Sequence, residues 1–112
     1  MFLQLGHNKL DVYTIARQFV KECYIAVNKF PAEEKYVLVQ QIKRAALSVH
    51  LNIAEGSSRK SEVERKRFYE IARGSIIEVD AALDVASDLN YCTPESLQSL
   101  GETLILINST TN

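Results

Sequence analysis

Between Leu38 and Arg59 the chain repeats apolar side chains at helical spacing and, alongside them, polar ones at the same spacing. Few folds can use both. Leu38, Ile42, Ala45, Val49 and Ile53 recur every three or four residues, so they line one face of an α-helix. Gln41, Arg44, Ser48, Asn52 and Glu55 step in the same way beside them. A helix with an oily face and a polar edge next to it packs against two neighbours. Gly56 suits the position just past a helix end, where left-handed backbone is cheap only for glycine. A turn is therefore predicted at Ser57 and Ser58.

The rest of the chain supplies three more amphipathic segments. From Leu10 to about Lys29, Val12, Ala16, Phe19, Val20, Cys23, Ala26 and Val27 mark a first helix. Asp11 favours its start, and Pro31 ends it by forcing the preceding residue out of the helical region. Glu33 and Glu34 are predicted in the first turn of the second helix. Ser61 and Glu64 read as a capping box opening a third helix. There Phe68, Ala72, Ser75, Val79, Ala82, Ala86 and Leu89 form a seam that Ile71, Ile76 and Leu83 widen. Asn90 and Tyr91 break that pattern. Thr93 as cap and Pro94 as first residue open a fourth helix with Leu97, Leu100, Leu104 and Ile107 inward. The 112 residues read as a single domain, with residues 1–8 a flexible arm and 108–112 a frayed tail. Fold class is all-α, an antiparallel up-down-up-down four-helix bundle.

No apolar run approaches the ~20 residues that cross a bilayer, and the opening residues lack the pattern of a signal peptide. A cytoplasmic protein with no membrane partner is expected. Cys23 and Cys92 form no metal-binding pattern, so neither a metal nor a cofactor is expected. Ser48 and His50, two apart on a helix, point different ways and cannot pair as nucleophile and base. The carboxylates Glu55, Glu70 and Glu78 have no partner set for acid and base work. No catalytic residue is assigned, and the expectation is a non-enzyme.

Charge is divided unevenly along the chain. Residues 1–42 carry five basic and four acidic side chains, residues 43–73 eight and four, and residues 74–112 none and six. In the bundle topology Arg59, Lys60, Arg65, Lys66 and Arg67 gather at one end, with Lys43 midway along as a secondary contributor. Glu33, Glu34, Asp84, Asp88 and Glu95 fall at the other end. Five cations within nine positions make a candidate seat for the phosphate backbone of RNA or DNA. Binding there should be salt-sensitive and almost blind to sequence. The polar stripe reads differently. Gln41, Arg44, Ser48, Asn52, Glu55, Arg73, Ser75 and Glu78 are assigned to a structural hydrogen-bond network, because polar groups near a core need partners. Val37, Leu47, Leu51 and Ile77 fall outside every inward stripe, which points to a subunit interface.

The run FPAEEKYVLVQQIKRAALSVHLNIAEGSSR, followed by RFYEIARGSIIEVDAALDVASDL, resembles a small bacterial family of four-helix bundles. Its members were first noticed as reading frames within intervening sequences of 23S rRNA genes, and are also known as S23 ribosomal protein-like. The resemblance spans roughly Leu10 to Tyr91. It rests on Phe30, Pro31, Gln41, Arg44, Ala45, Ser48, Asn52, Ile53, Glu55, Gly56, Arg59, Arg73, Gly74, Ser75 and Glu78 in the family's order. It implies a barrel-like homopentamer. It also implies a distant relationship to the accessory protein of diversity-generating retroelements, whose basic ring engages a reverse transcriptase and nucleic acid. Two functions stand as expectations: an oligomeric bundle binding RNA or DNA backbone, accessory to a nucleic-acid enzyme, or a protein-protein interaction scaffold with no nucleic-acid role.

Overall fold

The computed structural model describes residues 12–111. The predicted arm, the helix start at Leu10 and Asp11, and Asn112 lie outside the described residues. Four helices follow one another: α1 (Val12–Val27), α2 (Leu38–Ser58), α3 (Glu62–Asp88) and α4 (Gln98–Thr110). Among the described residues there is no strand. The helices form an antiparallel up-down-up-down bundle within a body of 43 × 25 × 22 Å.

The inward stripes produce the core. Phe19, Cys23, Ile42, Val49, Ile53, Ile76, Val79 and Ile107 are the largest fully buried side chains. Each larger aliphatic or aromatic among them contributes about 1.5–3 kcal/mol through burial. Ile71 departs from the predicted seam and is 46% exposed. It sits about 100° round α3 from the buried Ala72, at the edge of the packed face.

Packing around the bundle is uneven. α2 lies along α3 over its length, α1 bridges α2 and α4, and α3 scarcely meets α4. Between α3 and α4 runs an open groove of about 410 Å³, floored by Leu83, Leu100 and Leu104 and edged by Asp80, Asp84 and Glu102.

Gly56 does not act as a left-handed cap. It lies inside α2, buried, and no described glycine has positive φ. Its need is for space. A Cβ there would stand 2.8 Å from Tyr69 Cε1, 2.9 Å from Tyr69 Cδ1 and 3.2 Å from Phe68 Cβ. α2 therefore continues through Ser57 and Ser58, and the turn falls on Arg59 to Ser61.

The left-handed residue is Asn90, with φ of 65°. The Tyr91 amide donates to Ala86 O at 2.9 Å and the Asn90 amide to Ser87 O at 3.0 Å, the paired bonds of a Schellman termination.

Glu33 and Glu34 do not begin α2. They belong to a separate 3-10 turn, Ala32–Glu34, after which α2 starts at Leu38 with no acid in its first turn. Tyr91 Oη donates to Glu34 Oε2 at 2.8 Å and ties this turn to the end of α3. A second 3-10 turn, Glu95–Leu97, precedes α4. Thr93 and Ser96 cap it reciprocally: the Ser96 amide donates to Thr93 Oγ1 at 3.1 Å and the Thr93 amide to Ser96 Oγ at 3.0 Å. α4 continues through Asn108 to Thr110, and Thr111 is buried. The hydroxyls of Ser109, Thr110 and Thr111 donate back to carbonyls of the preceding turn.

Candidate nucleic-acid interface

The α2–α3 turn carries most of the cations and is fastened from both sides. Ser58 Oγ donates to Glu55 O at 2.7 Å, and the Arg59 amide to Gly56 O at 3.1 Å. Ser61 caps α3 by accepting from the Glu64 amide at 3.3 Å. Arg65 Nη1 reaches back to Arg59 O at 3.0 Å and Lys60 O at 2.8 Å. Its guanidinium thus holds the turn's backbone and keeps a positive charge beneath it.

Arg59 forms an ion pair with Glu55 at 2.7 Å, and its guanidinium carbon lies 5.0 Å from the Phe68 ring centroid. Both carboxylate and guanidinium are substantially exposed, so the pair is a weak, salt-screened one. Lys60, Lys66 and Arg67 are exposed and make no ion pair or side-chain hydrogen bond among the described residues. Lys43 lies elsewhere: 16 residues back along α2, about 24 Å at helical rise, with its ammonium 4.9 Å from the Tyr24 ring centroid.

The polar stripe divides into separate parts. Ser75 Oγ donates to Ser48 Oγ at 2.9 Å, and Asn52 Nδ2 donates to Ser48 O at 2.9 Å and Ser48 Oγ at 3.1 Å. The Ser75–Ser48 bond crosses from α3 to α2 and fixes their register, while Asn52 braces Ser48 from within α2. Gln41 Nε2 donates to Glu78 Oε1 further along the same seam. Glu55 is engaged by Arg59, and Arg44 is exposed. Arg73 sits on another face of α3, about 200° from Ser75. It lines a cavity of about 280 Å³ between the first turns of α3 and the end of α4. Its Nε is inaccessible to solvent and has no hydrogen-bond partner.

Tyr69 was not singled out by the spacing, yet it shares that cavity and its hydroxyl lies 3.2 Å from Ser57 Oγ. His50 also gains a role from the fold. It faces α1, with its ring 4.8 Å from that of Tyr13, while Ser48 faces α3. Burial, followed by the nearby Arg17 charge, pushes the His50 pKa down. His50 Nδ1 is buried without a partner. Burial, helped by the Glu22 charge, pushes the Cys23 thiol up to about 12, which holds it protonated.

At the far end, the hydrogen bond to Glu34, then burial and the charges of Glu34 and Glu33, raise the Tyr91 pKa. Among the described residues no group of three or more His, Cys, Asp or Glu side chains is placed to hold a metal ion. No described helix is long and apolar enough to cross a membrane.

With this geometry in place, comparison with known proteins decides the family. The model of the 23S rRNA-intervening sequence protein family matches residues 8–112. The chain belongs to that family. A solved relative from the S23 ribosomal protein family of Bacteroides thetaiotaomicron VPI-5482, described as a protein of unknown function, superposes with a TM-score of 0.78. It is 23% identical, and the alignment covers 90% of this chain and 94% of that one. At that identity the likeness speaks for the fold. No curated protein matches the chain significantly. The intervening-sequence family match includes the cationic turn, the Ser48–Ser75 seam and the Arg73 cavity within its 105-residue span of 8–112.

Proposed function

We propose that this protein is a non-enzymatic, homo-oligomeric helical bundle that binds the backbone of RNA or DNA through its α2–α3 end, as an accessory to a nucleic-acid enzyme. The observation that supports this reading most is the state of the turn. Lys60, Lys66 and Arg67 are exposed and unneutralised, while Arg65 fixes the backbone between them. The fastened backbone gathers these charges at one end of the bundle, and they release counterions on meeting phosphates. The exposed aliphatics Val37, Leu47, Leu51 and Ile77 support self-association, and the family resemblance suggests a pentamer. Copies of a weak basic site around one axis would add avidity without any new contact.

Three phosphate contacts per site on a single strand correspond to a log–log salt slope of about −2, or roughly a twenty-fold loss of affinity between about 50 and 200 mM salt. Fluorescence anisotropy of a labelled single-stranded RNA across that range measures the slope. The triple variant Lys60→Glu, Lys66→Glu, Arg67→Glu should lose binding while keeping its helical circular dichroism and solution mass. Unchanged affinity in that variant would remove the proposal. The exposed aliphatics equally favour the second reading, a cytoplasmic scaffold that recruits a protein partner. A pull-down whose partner survives nuclease treatment, together with unchanged RNA affinity in the triple variant, would favour the scaffold.

A further inference from the structure

The cavity beside the turn joins three facts that the backbone-binding reading does not use. Arg65, Tyr69 and Arg73 follow one another at intervals of four along α3, so they stand on one face, with Lys66 beside them. All four line the same cavity of about 280 Å³. At its inner end Arg73 Nε is removed from water and has no acceptor. A buried N–H of a charged group left unmet is costly, and native structures pair such groups.

Nothing in the described fold supplies the missing acceptor. Glu62 and Glu70 also line the cavity, yet neither forms an ion pair or hydrogen bond with Arg73. The walls are already positioned. Arg65 is anchored to two carbonyls, and Tyr69 Oη is held beside Ser57 Oγ. A compact anion entering from outside could accept from several of these donors at once.

We infer that this cavity binds a phosphate monoester, with Arg73 as its principal ligand, Lys66 and Arg65 supplying further charge, and the Tyr69 hydroxyl a hydrogen bond. A phosphoryl group offers three terminal oxygens to donors arranged around it, and a guanidinium is suited to grip two of them. A planar carboxylate offers fewer. Three cations against the two carboxylates Glu62 and Glu70 leave the wall net positive, which favours an anion. The inference rests on the reading of this end as a nucleic-acid interface and gives it polarity. A strand lying across Lys60 and Arg67 would place its terminal phosphate in the cavity.

The test uses the full chain and three probes: inorganic phosphate, a 5′-phosphorylated RNA oligonucleotide and the same oligonucleotide with a 5′-hydroxyl. The phosphorylated strand should bind about five- to ten-fold more tightly than the hydroxyl strand. Arg73→Lys keeps the charge but removes Nε and the planar fork, and should bring that ratio to one. Glu70→Gln should raise it. Saturable broadening of the 31P resonance of inorganic phosphate, lost in Arg73→Lys, would place free phosphate in the same site. Without that broadening but with the ratio intact, the site takes strand ends alone, and the inference stands. Lys66→Ala, at an exposed position, should lower the ratio in a fully folded protein and serves if Arg73→Lys is misfolded. Equal affinity for the two strands, or a preference that neither Arg73→Lys nor Lys66→Ala changes, overturns the inference. Loss of binding of the 5′-hydroxyl strand in the double variant Lys60→Glu, Arg67→Glu, neither residue lining the cavity, tests the backbone reading separately.

Discussion

Replacing Gly56 by alanine sets two known effects against each other at one site. In a helix interior alanine is favoured over glycine by about 0.8–1.0 kcal/mol, so on propensity alone Gly56→Ala should stabilise α2. The added methyl, however, would lie 2.8 and 2.9 Å from two carbons of the Tyr69 ring and 3.2 Å from Phe68 Cβ. The ring cannot simply swing clear, because its hydroxyl is held near Ser57 Oγ at 3.2 Å. Phe68 Cβ is one bond from the backbone. Overpacking of this kind costs about 1–3 kcal/mol, which outweighs the propensity gain and leaves a net loss of about 1 kcal/mol. Gly74→Ala is the internal control, since a Cβ there meets nothing within 4 Å, and it should gain about 0.5–1 kcal/mol. Thermal unfolding followed by circular dichroism separates the two variants, with each kcal/mol worth roughly 4–8 °C in a small domain. Within a Tyr69→Ala background, itself less stable, the further change Gly56→Ala should lose most of its cost, leaving only the Phe68 contact. If Gly56→Ala and Gly74→Ala raise the melting temperature alike, the close approach of α2 and α3 is not what requires glycine at residue 56.

His50 gives the bundle a pH dependence of definite sign. Its folded pKa is lowered below the ordinary 6.5 by burial and by Arg17, so the unfolded chain takes up the proton first. Stability is complete above pH 6.5 and falls as the pH drops through the folded pKa; His50→Phe should flatten that fall in urea titrations at pH 7 and pH 5. At the end of α3, Asn90 has φ of 65°, so Asn90→Ala should cost about 1 kcal/mol while Asn90→Gly is tolerated. Equal midpoints for those two variants in urea would refute the assignment of a left-handed cap.

The inward stripes were legible because burial in a bundle follows the helical repeat: Ile42, Ala45, Val49 and Ile53 are all buried. The cation-rich turn was equally plain, since the residues concerned are neighbours in sequence. Legibility ended where one residue type serves two purposes. A glycine near a helix end can relieve backbone strain or make room for a neighbour, and only the position of the Tyr69 ring shows that Gly56 does the second. Arg73 next to Gly74 and Ser75 suggested membership of the Ser48 seam, but two positions turn a side chain about 200° round the helix. The same arithmetic, started from Lys66 and Tyr69, places Arg73 with them. The partner wall at Thr111, 38 residues along the chain from Arg73, had no local signal. Nor did the Glu34–Tyr91 bond that keeps Glu33 and Glu34 out of α2.

The uneven packing of the helices also sets an order for synthesis. α2 and α3 are consecutive and share the longest interface, so that hairpin can form from contacts close in sequence, the kind that form quickly. α1, although made before the other three, is completed only when Ser99 and Thr103 reach Glu22 from α4. Until α4 has been synthesised, α1 has one flank uncovered, and a nascent chain in this state would depend on the α2–α3 pair to keep Phe19 and Cys23 out of water.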